Sequence, residues 1–66
     1  MQNIIKARRT EQRWSQAELG ERLGVSRQTV IAIENGKYDP SLPLAFKLAT
    51  VFGTSIEDLF TPATED

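Results

Sequence analysis

The order of apolar and polar side chains along the chain predicts short helices separated by frequent stop signals. Apolar residues recur every three or four positions, which is the spacing of one helical face, and no segment alternates as a half-buried strand does. The first predicted helix spans about Asn3 to Gln12. The clearest apolar stripe lies in the fourth and consists of Ala45, Leu48, Ala49 and Phe52. The pattern therefore predicts an all-α fold.

Serine and glycine residues set the bounds of the later helices. A serine hydroxyl accepts a hydrogen bond from a free N–H in the first helical turn, and glycine readily adopts the left-handed conformation that ends a helix. The expected N-caps are Ser15, Ser26, Ser41 and Ser55, and Glu18 completes a capping box with the first of them. The helices that they open are expected to end near Leu23, Glu34, Gly53 and Phe60. We therefore predict a compact domain of five helices.

The size and composition of the chain limit what this domain can be. Its 66 residues are 39% hydrophobic, which fits one domain, with an ordered core at about residues 3–60 and a tail at 61–66. Because the chain has no Cys and no His, we expect no disulfide, no metal site of the common ligand types and no cofactor. It has neither the apolar core of a signal peptide nor an apolar run of about 20 residues. We expect a cytoplasmic location and no membrane partner.

Charge is distributed unevenly along the chain. Residues 1–38 hold seven Lys and Arg side chains against four acidic ones, whereas residues 39–66 hold one basic and five acidic side chains. The pI of about 5.3 argues against a general polyanion binder, since such domains usually exceed about 9. The split permits one basic face, although on charge alone an ordinary solvated surface is the better interpretation.

The second and third predicted helices carry the functional signal. Only Gly24 and Val25 separate the second helix from the next N-cap, and Gly20 leaves room for a close helix crossing. Two short helices joined in this way cross at a steep angle, as in a helix-turn-helix. With Val30 facing inward, the outward face of the third helix consists of Arg27, Gln28, Thr29, Ile31 and Ala32.

That outward face suits the major groove of B-form DNA, which admits one α-helix. Arg27 matches the two acceptors of guanine, and Gln28 matches the donor–acceptor pair of adenine. Ala32 permits a deep approach, while Ile31 and the methyl group of Thr29 can contact thymine methyls. Each residue alone is better explained as an ordinary exposed residue, but the set on a projecting helix favours base contacts.

The stretch SQAELGERLGVSRQTVIAIENGKYDPS resembles the helix-turn-helix of Cro and phage repressors, the xenobiotic-response-element (XRE) family of bacterial and phage regulators. The following LPLAFKLATVFGTSIEDLF is similar to the fourth and fifth helices of the same lambda-repressor-like domain. The resemblance covers about residues 3–60 and is to stand-alone, single-domain regulators. It implies a regulator of transcription that binds double-stranded DNA sequence-specifically with its third helix in the major groove. We expect this regulator to be a repressor.

The resemblance also implies roles for individual residues. The expected phosphate contacts are Gln16, Ser26, Asn35 and Lys37, and an ion pair between Arg9 and Glu34 is expected to join the first and third helices. The chain departs from the family in three places, with Arg13 where glycine is usual, Arg8 where an apolar residue is common, and Gly20 where alanine is commoner.

The size of the domain suggests that it binds DNA as a homodimer. One module of this size buries only about 600–1,000 Å² on DNA, so we expect two copies on a pseudo-palindromic operator. The candidate dimer contacts are Phe46, Thr50, Ile56 and Phe60.

Two other classes of function were weighed. A helix-turn-helix can serve as a protein-interaction module, such as an antitoxin or adaptor subunit, and a regulatory protein partner can coexist with DNA binding. An enzyme is disfavoured because no imidazole or thiol can activate a nucleophile and the serines are better explained as caps. We therefore predict no catalytic residues. The residues whose types could take part in catalysis are Ser15, Ser26, Asp39, Glu57 and Asp58.

Overall fold

The computed structural model of the chain describes residues 2–61. Five helices lie between two very short strands, and the elements in chain order are β1 (Gln2–Asn3), α1 (Ile5–Glu11), α2 (Gln16–Leu23), α3 (Arg27–Glu34), α4 (Leu42–Phe52), α5 (Ile56–Leu59) and β2 (Phe60–Thr61). The all-α class and the five helices are confirmed.

The predicted caps of the later helices are all present. Each of α2 to α5 begins after a serine whose Oγ accepts the backbone N–H three residues further on, at 3.0 to 3.3 Å. Ser15 and Glu18 form the complete capping box. Gly24 and Gly53 end α2 and α4 in the left-handed conformation, with φ of 76° and 66°. Short-range sequence signals thus determine where these four helices begin and where α2 and α4 end.

The chain ends differ from the prediction, because β1 and β2 form an antiparallel pair. Gln2 lies opposite Thr61 and Asn3 opposite Phe60. The helix predicted from Asn3 therefore begins at Ile5, and the one predicted through Phe60 ends at Leu59. A two-residue strand is too short to show alternation, so the pattern contained no sign of it. Thr61, expected in the tail, belongs to β2, and residues 62–66 lie outside the described part of the chain.

All five helices contribute to one hydrophobic core. Its most deeply buried side chains are Ile5, Leu19, Leu23, Val30, Ile33, Leu48 and Leu59. Near its edge the ring of Trp14 lies 5.6 Å from that of Phe52, and the guanidinium of Arg22 sits 4.1 Å from the centre of the Trp14 ring. The core fixes the inner faces of α1, α3 and α4 in a single packing arrangement.

Two turns have exceptional backbone geometry. A Cβ atom at Gly20 would lie 2.8 Å from the carbonyl oxygen of Val25, so the helix-turn-helix brings the two backbones into the close approach that its sequence predicts. Between α1 and α2, Arg13 adopts a φ of 63°, in the left-handed region that disfavours side chains with a Cβ. The substitution of arginine for the usual glycine therefore leaves this turn strained.

Candidate nucleic-acid interface

Helix α3 has one face in the core and the other open to solvent. Val30 and Ile33 are each 1% exposed, which places the opposite face outward. Arg27 and Gln28 are exposed there and form no side-chain hydrogen bond within residues 2–61. The other three side chains predicted for this face, those of Thr29, Ile31 and Ala32, are half-buried. The face thus begins with two exposed polar side chains and continues with half-buried side chains that are mostly apolar.

The two hydroxyl groups at the start of α3 are paired with each other. Ser26 Oγ lies 3.0 Å from Thr29 Oγ1 and also accepts the backbone N–H of Thr29 at 3.2 Å. The contact between the hydroxyls uses one of their two hydrogens, so one remains for an external acceptor. The first turn of α3 contains no acidic residue, which leaves the positive end of the helix dipole uncompensated by a carboxylate there.

The C-terminal end of α3 is held by a buried carboxylate. The side chain of Glu34 is 2% exposed and accepts Arg9 Nε at 2.6 Å, Arg9 Nη2 at 3.4 Å and Gln16 Nε2 at 3.1 Å. Arg9 Nη1 also donates to the carbonyl oxygen of Trp14 at 2.8 Å. One cluster therefore joins α1, the α1–α2 turn, α2 and α3.

Gln16, which the resemblance assigns to a phosphate contact, has an internal partner in this structure. One of its amide hydrogens is directed to Glu34, and the side chain is half-buried. Within residues 2–61 the second amide hydrogen and the amide oxygen form no further hydrogen bond, so both can bond outward. The residue thus lies at the junction of the cluster and the N-terminal end of α2.

Asn3 is a second anchor of α3, and the sequence analysis missed it. Its Nδ2 donates to the carbonyl oxygen of Ile33 at 2.8 Å, and its Oδ1 accepts the backbone N–H of Ile5 at 3.0 Å. An Asn just before a helix is a familiar capping signal, but nothing in the local pattern points to a partner 30 residues away.

The segment after α3 presents the remaining predicted phosphate contacts. The backbone N–H of Gly36 donates to Ile33 O at 3.0 Å and that of Lys37 donates to Ala32 O at 2.9 Å. The side chains of Asn35 and Lys37 are exposed. The backbone here is thus ordered by α3 itself while the two polar side chains face solvent.

Comparison with known proteins identifies the family. A helix-turn-helix family model matches residues 5–59, which spans α1 to α5. The chain belongs to the XRE-type helix-turn-helix family of transcriptional regulators.

Similar regulators occur in archaea and bacteria. An uncharacterized HTH-type transcriptional regulator of Methanocaldococcus jannaschii is 58% identical over 60 residues, covering 91% of each chain. The uncharacterized HTH-type regulator YgzD of Bacillus subtilis is 50% identical over 60 residues, again covering 91% of each chain. The crystal structure of a hypothetical transcription factor from Neisseria superposes with a TM-score of 0.76 at 29% identity, covering 88% of this chain and 67% of that one.

This helix-turn-helix regulator has an exposed apolar stripe on α4. Phe46 is 57% exposed and Leu42, which the sequence analysis did not single out, is 64% exposed. Phe46 and Thr50 border an open groove whose far wall includes Ile56. Phe60 does not join this surface, because its pairing in β2 directs the ring into the core, where it is 6% exposed.

The described part of the regulator holds neither a metal-binding cluster nor a membrane-spanning helix. Within residues 2–61, no group of three or more acidic, His or Cys side chains is arranged to hold a metal ion. No helix in the same range has both the length and the apolar character needed to cross a bilayer.

Proposed function

We propose that this regulator binds double-stranded DNA sequence-specifically as a homodimer, on a pseudo-palindromic operator, with α3 in the major groove. The observation that carries the proposal is the exposed and internally unpaired state of Arg27 and Gln28 on a helix whose opposite face is buried. We further propose that it is a cytoplasmic protein and that it acts as a repressor, since a dimer bound over a promoter blocks access to that DNA.

The proposed base contacts follow from side-chain chemistry. A guanidinium can donate two hydrogen bonds to O6 and N7 of guanine, and a carboxamide can bond to N6 and N7 of adenine. Arg27 and Gln28 have these groups, and no hydrogen bond to another residue in the range 2–61 has to break before they can bind a base. The half-buried Ile31 and Ala32 supply an apolar surface for thymine methyl groups, and Thr29 lies beside them.

The proposed phosphate contacts surround this face. Ser26 opens α3, Gln16 opens the neighbouring α2, and Asn35 and Lys37 follow the last turn of α3. Groups at both ends of a helix can hold the backbone on either side of the groove in which the helix lies. The start of α3 adds its own free N–H groups, which attract phosphate.

The proposed dimer uses the stripe of Leu42, Phe46 and Thr50 with the adjoining side chain of Ile56. Exposed phenylalanine and leucine on one helix face are typical of surfaces that another protein covers. Contact between two identical stripes satisfies the self-complementarity that a two-fold dimer requires. Such a dimer places two recognition helices about 34–36 Å apart, one turn of DNA.

Selection of binding sites from a random duplex library tests the proposal directly. We expect an enriched inverted repeat whose half-sites are about 10 base pairs apart. Arg27→Ala should cost about 1–3 kcal/mol of binding free energy and relax the preference at one base position. Lys37→Ala should weaken binding about equally on all sequences and lower the salt slope by about one.

Arg22→Ala is the matched control, because it removes a positive charge from the side of α2 that stacks on Trp14. It should leave both the base preference and the salt slope unchanged. A library that shows no enrichment with the wild-type protein, even at low salt, contradicts specific DNA binding.

Sedimentation measurements test the dimer separately. The wild-type protein should be dimeric at micromolar concentration on its operator, and Phe46→Glu should shift it to a monomer. Tyr38→Ser is the control, since it removes another exposed aromatic side chain from outside the α4 stripe. A wild-type protein that stays monomeric both free and on DNA refutes the dimer.

The exposed stripe also supports a second candidate, in which the domain is an antitoxin or adaptor that uses Leu42 and Phe46 to bind a different protein. A pure adaptor should retain no duplex from the library, whereas Phe46→Glu should abolish capture of its protein partner. The two candidates therefore differ in the first experiment, before any variant is made.

A further inference from the structure

The last turn of α3 is fixed at two consecutive residues by side chains from elsewhere in the chain. Glu34 is bonded to Arg9 of α1 and Gln16 of α2, and the carbonyl group of Ile33 accepts a hydrogen bond from Asn3. The carbonyl groups in the last turn of a helix have no partner within the helix, which leaves them free to accept such bonds. The start of α3, in contrast, is capped by its own Ser26.

Asn3 occupies an unusual place in this arrangement. Its backbone lies in β1, paired with Phe60, while its side chain contacts both α1 and α3. The carbonyl oxygen that it bonds also accepts the N–H of Gly36, the residue just before Lys37. One side chain therefore links the paired ends of the described chain to the recognition helix and to the segment that follows it.

We propose that Asn3 is a positioning residue for DNA recognition: its hydrogen bond to Ile33 O sets the orientation of α3, so base contacts depend on a residue outside the helix-turn-helix. This inference rests on the proposed DNA binding. Eight residues of α-helix are roughly 12 Å long, so a tilt of about 5° about one end moves the other by about 1 Å. Since Arg27 lies at the opposite end of α3 from this anchor, such a tilt displaces a hydrogen bond whose useful range spans only about 0.5 Å.

Two substitutions separate the two bonds that Asn3 makes. Asn3→Asp retains an acceptor for the N–H of Ile5, but it replaces the amide donor with a carboxylate facing the carbonyl oxygen of Ile33. That negative charge is also unfavourable near the C-terminal end of a helix. Asn3→Ser retains a local acceptor, yet its side chain is too short to reach Ile33, and it introduces no charge.

Ser55→Ala is the control variant. It removes the cap of α5, whose hydroxyl accepts Asp58 N–H, and so lowers stability without touching α3. All variants are compared at a temperature where circular dichroism shows them to be folded, which removes general destabilisation as an explanation.

Amide hydrogen exchange of the free protein gives a measurement that needs no DNA. The N–H groups of Gly36 and Lys37 bond to the last turn of α3. We expect Asn3→Asp to accelerate exchange at these two positions by about tenfold relative to the amides of α4, the factor expected for the loss of one hydrogen bond. Ser55→Ala should leave that ratio unchanged. An unchanged ratio in Asn3→Asp overturns the inference.

The affinities for the selected duplex and for a scrambled duplex give the functional measurement. We expect Asn3→Asp to lose about tenfold in affinity for the selected duplex, with Asn3→Ser losing less, while binding to the scrambled duplex stays within about twofold. A folded Asn3→Asp protein that retains the wild-type ratio of the two affinities overturns the inference alone. A wild-type protein with no preference for any duplex overturns the proposed function and this inference with it.

Discussion

Replacing Arg9 while Glu34 is kept tests whether the buried cluster of Arg9, Gln16 and Glu34 stabilises the fold as its geometry implies. The Glu34 side chain is 2% exposed and receives two of its three hydrogen bonds from Arg9. Arg9→Met keeps much of the length and apolar volume of the side chain but removes the charge and all donors. Among residues 2–61, Gln16 is then the one remaining hydrogen-bond donor to the carboxylate.

The expected loss is large for a domain of this size. Removing one partner of a buried ion pair costs about 3–5 kcal/mol, because the remaining charge is left buried and uncompensated. Domains typically have about 0.05–0.15 kcal/mol of stability per residue, which for this chain is about 3–10 kcal/mol. We therefore expect Arg9→Met to be marginally folded or unfolded at 25 °C.

If Arg9→Met does not fold, a double-mutant cycle that adds Glu34→Leu and the double variant still tests the ion pair. Glu34→Leu leaves Arg9 without its carboxylate, but the Arg9 side chain is 12% exposed and can turn towards water, so we expect a smaller loss of about 1–3 kcal/mol. In the double variant no buried charge remains. Since apolar replacements of a buried pair are often neutral, the double variant should be more stable than Arg9→Met alone.

Urea denaturation followed by circular dichroism measures all four proteins under one set of conditions. The predicted signature is a coupling energy well above the roughly 0.5 kcal/mol within which independent sites add. If Arg9→Met loses less than about 1 kcal/mol and the two changes are additive, the cluster is a weak surface pair. The cluster would then be too weak to hold the last turn of α3 in one orientation.

Three further substitutions test separate parts of the fold. Arg13→Gly should raise the unfolding free energy by about 0.5–1 kcal/mol, because it relieves the left-handed strain at φ 63°; thermal unfolding should show this, and Arg13→Ala, which keeps the strain, should show no gain. Leu48→Ala should cost about 2–5 kcal/mol in urea denaturation, since the side chain is fully buried; a loss below 1 kcal/mol would contradict tight packing. Lys47→Met should lower the free energy of unfolding by about 0.5 kcal/mol, and the thermal midpoint with it, because Lys47 Nζ donates to the carbonyl oxygen of Leu23 at the end of α2 at 3.3 Å; an unchanged midpoint would show that water replaces this bond.

Sequence reasoning worked best where a structural signal is local. A serine cap and the N–H that it accepts are three residues apart, so the start of α2 through α5 could be predicted from a few neighbouring residues. The left-handed Gly24 and Gly53 are local in the same sense. The strand pair is not, because Asn3 and Phe60 lie 57 positions apart along the chain. That non-local contact is the reason why the predicted helices extend to Asn3 at one end and to Phe60 at the other.

In the candidate site, too, the features with a local signal could be predicted and those that depend on distant residues could not. The outward face of α3 followed from helical periodicity once Val30 was placed inward, and the exposure of Arg27 and Gln28 agrees with it. Two partners of that helix did not follow, because the hydrogen bonds of Gln16 and Asn3 join residues 18 and 30 positions apart. Pattern analysis could suggest which residues face DNA, but it could not identify everything that holds them there.

Base preference and stability should depend on different residues of this domain. Arg27 and Gln28 are exposed and form no side-chain hydrogen bond within residues 2–61, so substitution there should alter the preferred sequence with little effect on unfolding. Glu34 and Asn3 are the reverse case, since their side chains bond within the protein and hold the last turn of α3. If the buried pair contributes orientation more than net stability, as buried pairs often do, then an apolar double variant should fold well and still bind its operator poorly. Measuring both properties on the same protein separates the two roles, because a purely stabilising cluster would make affinity and stability rise and fall together.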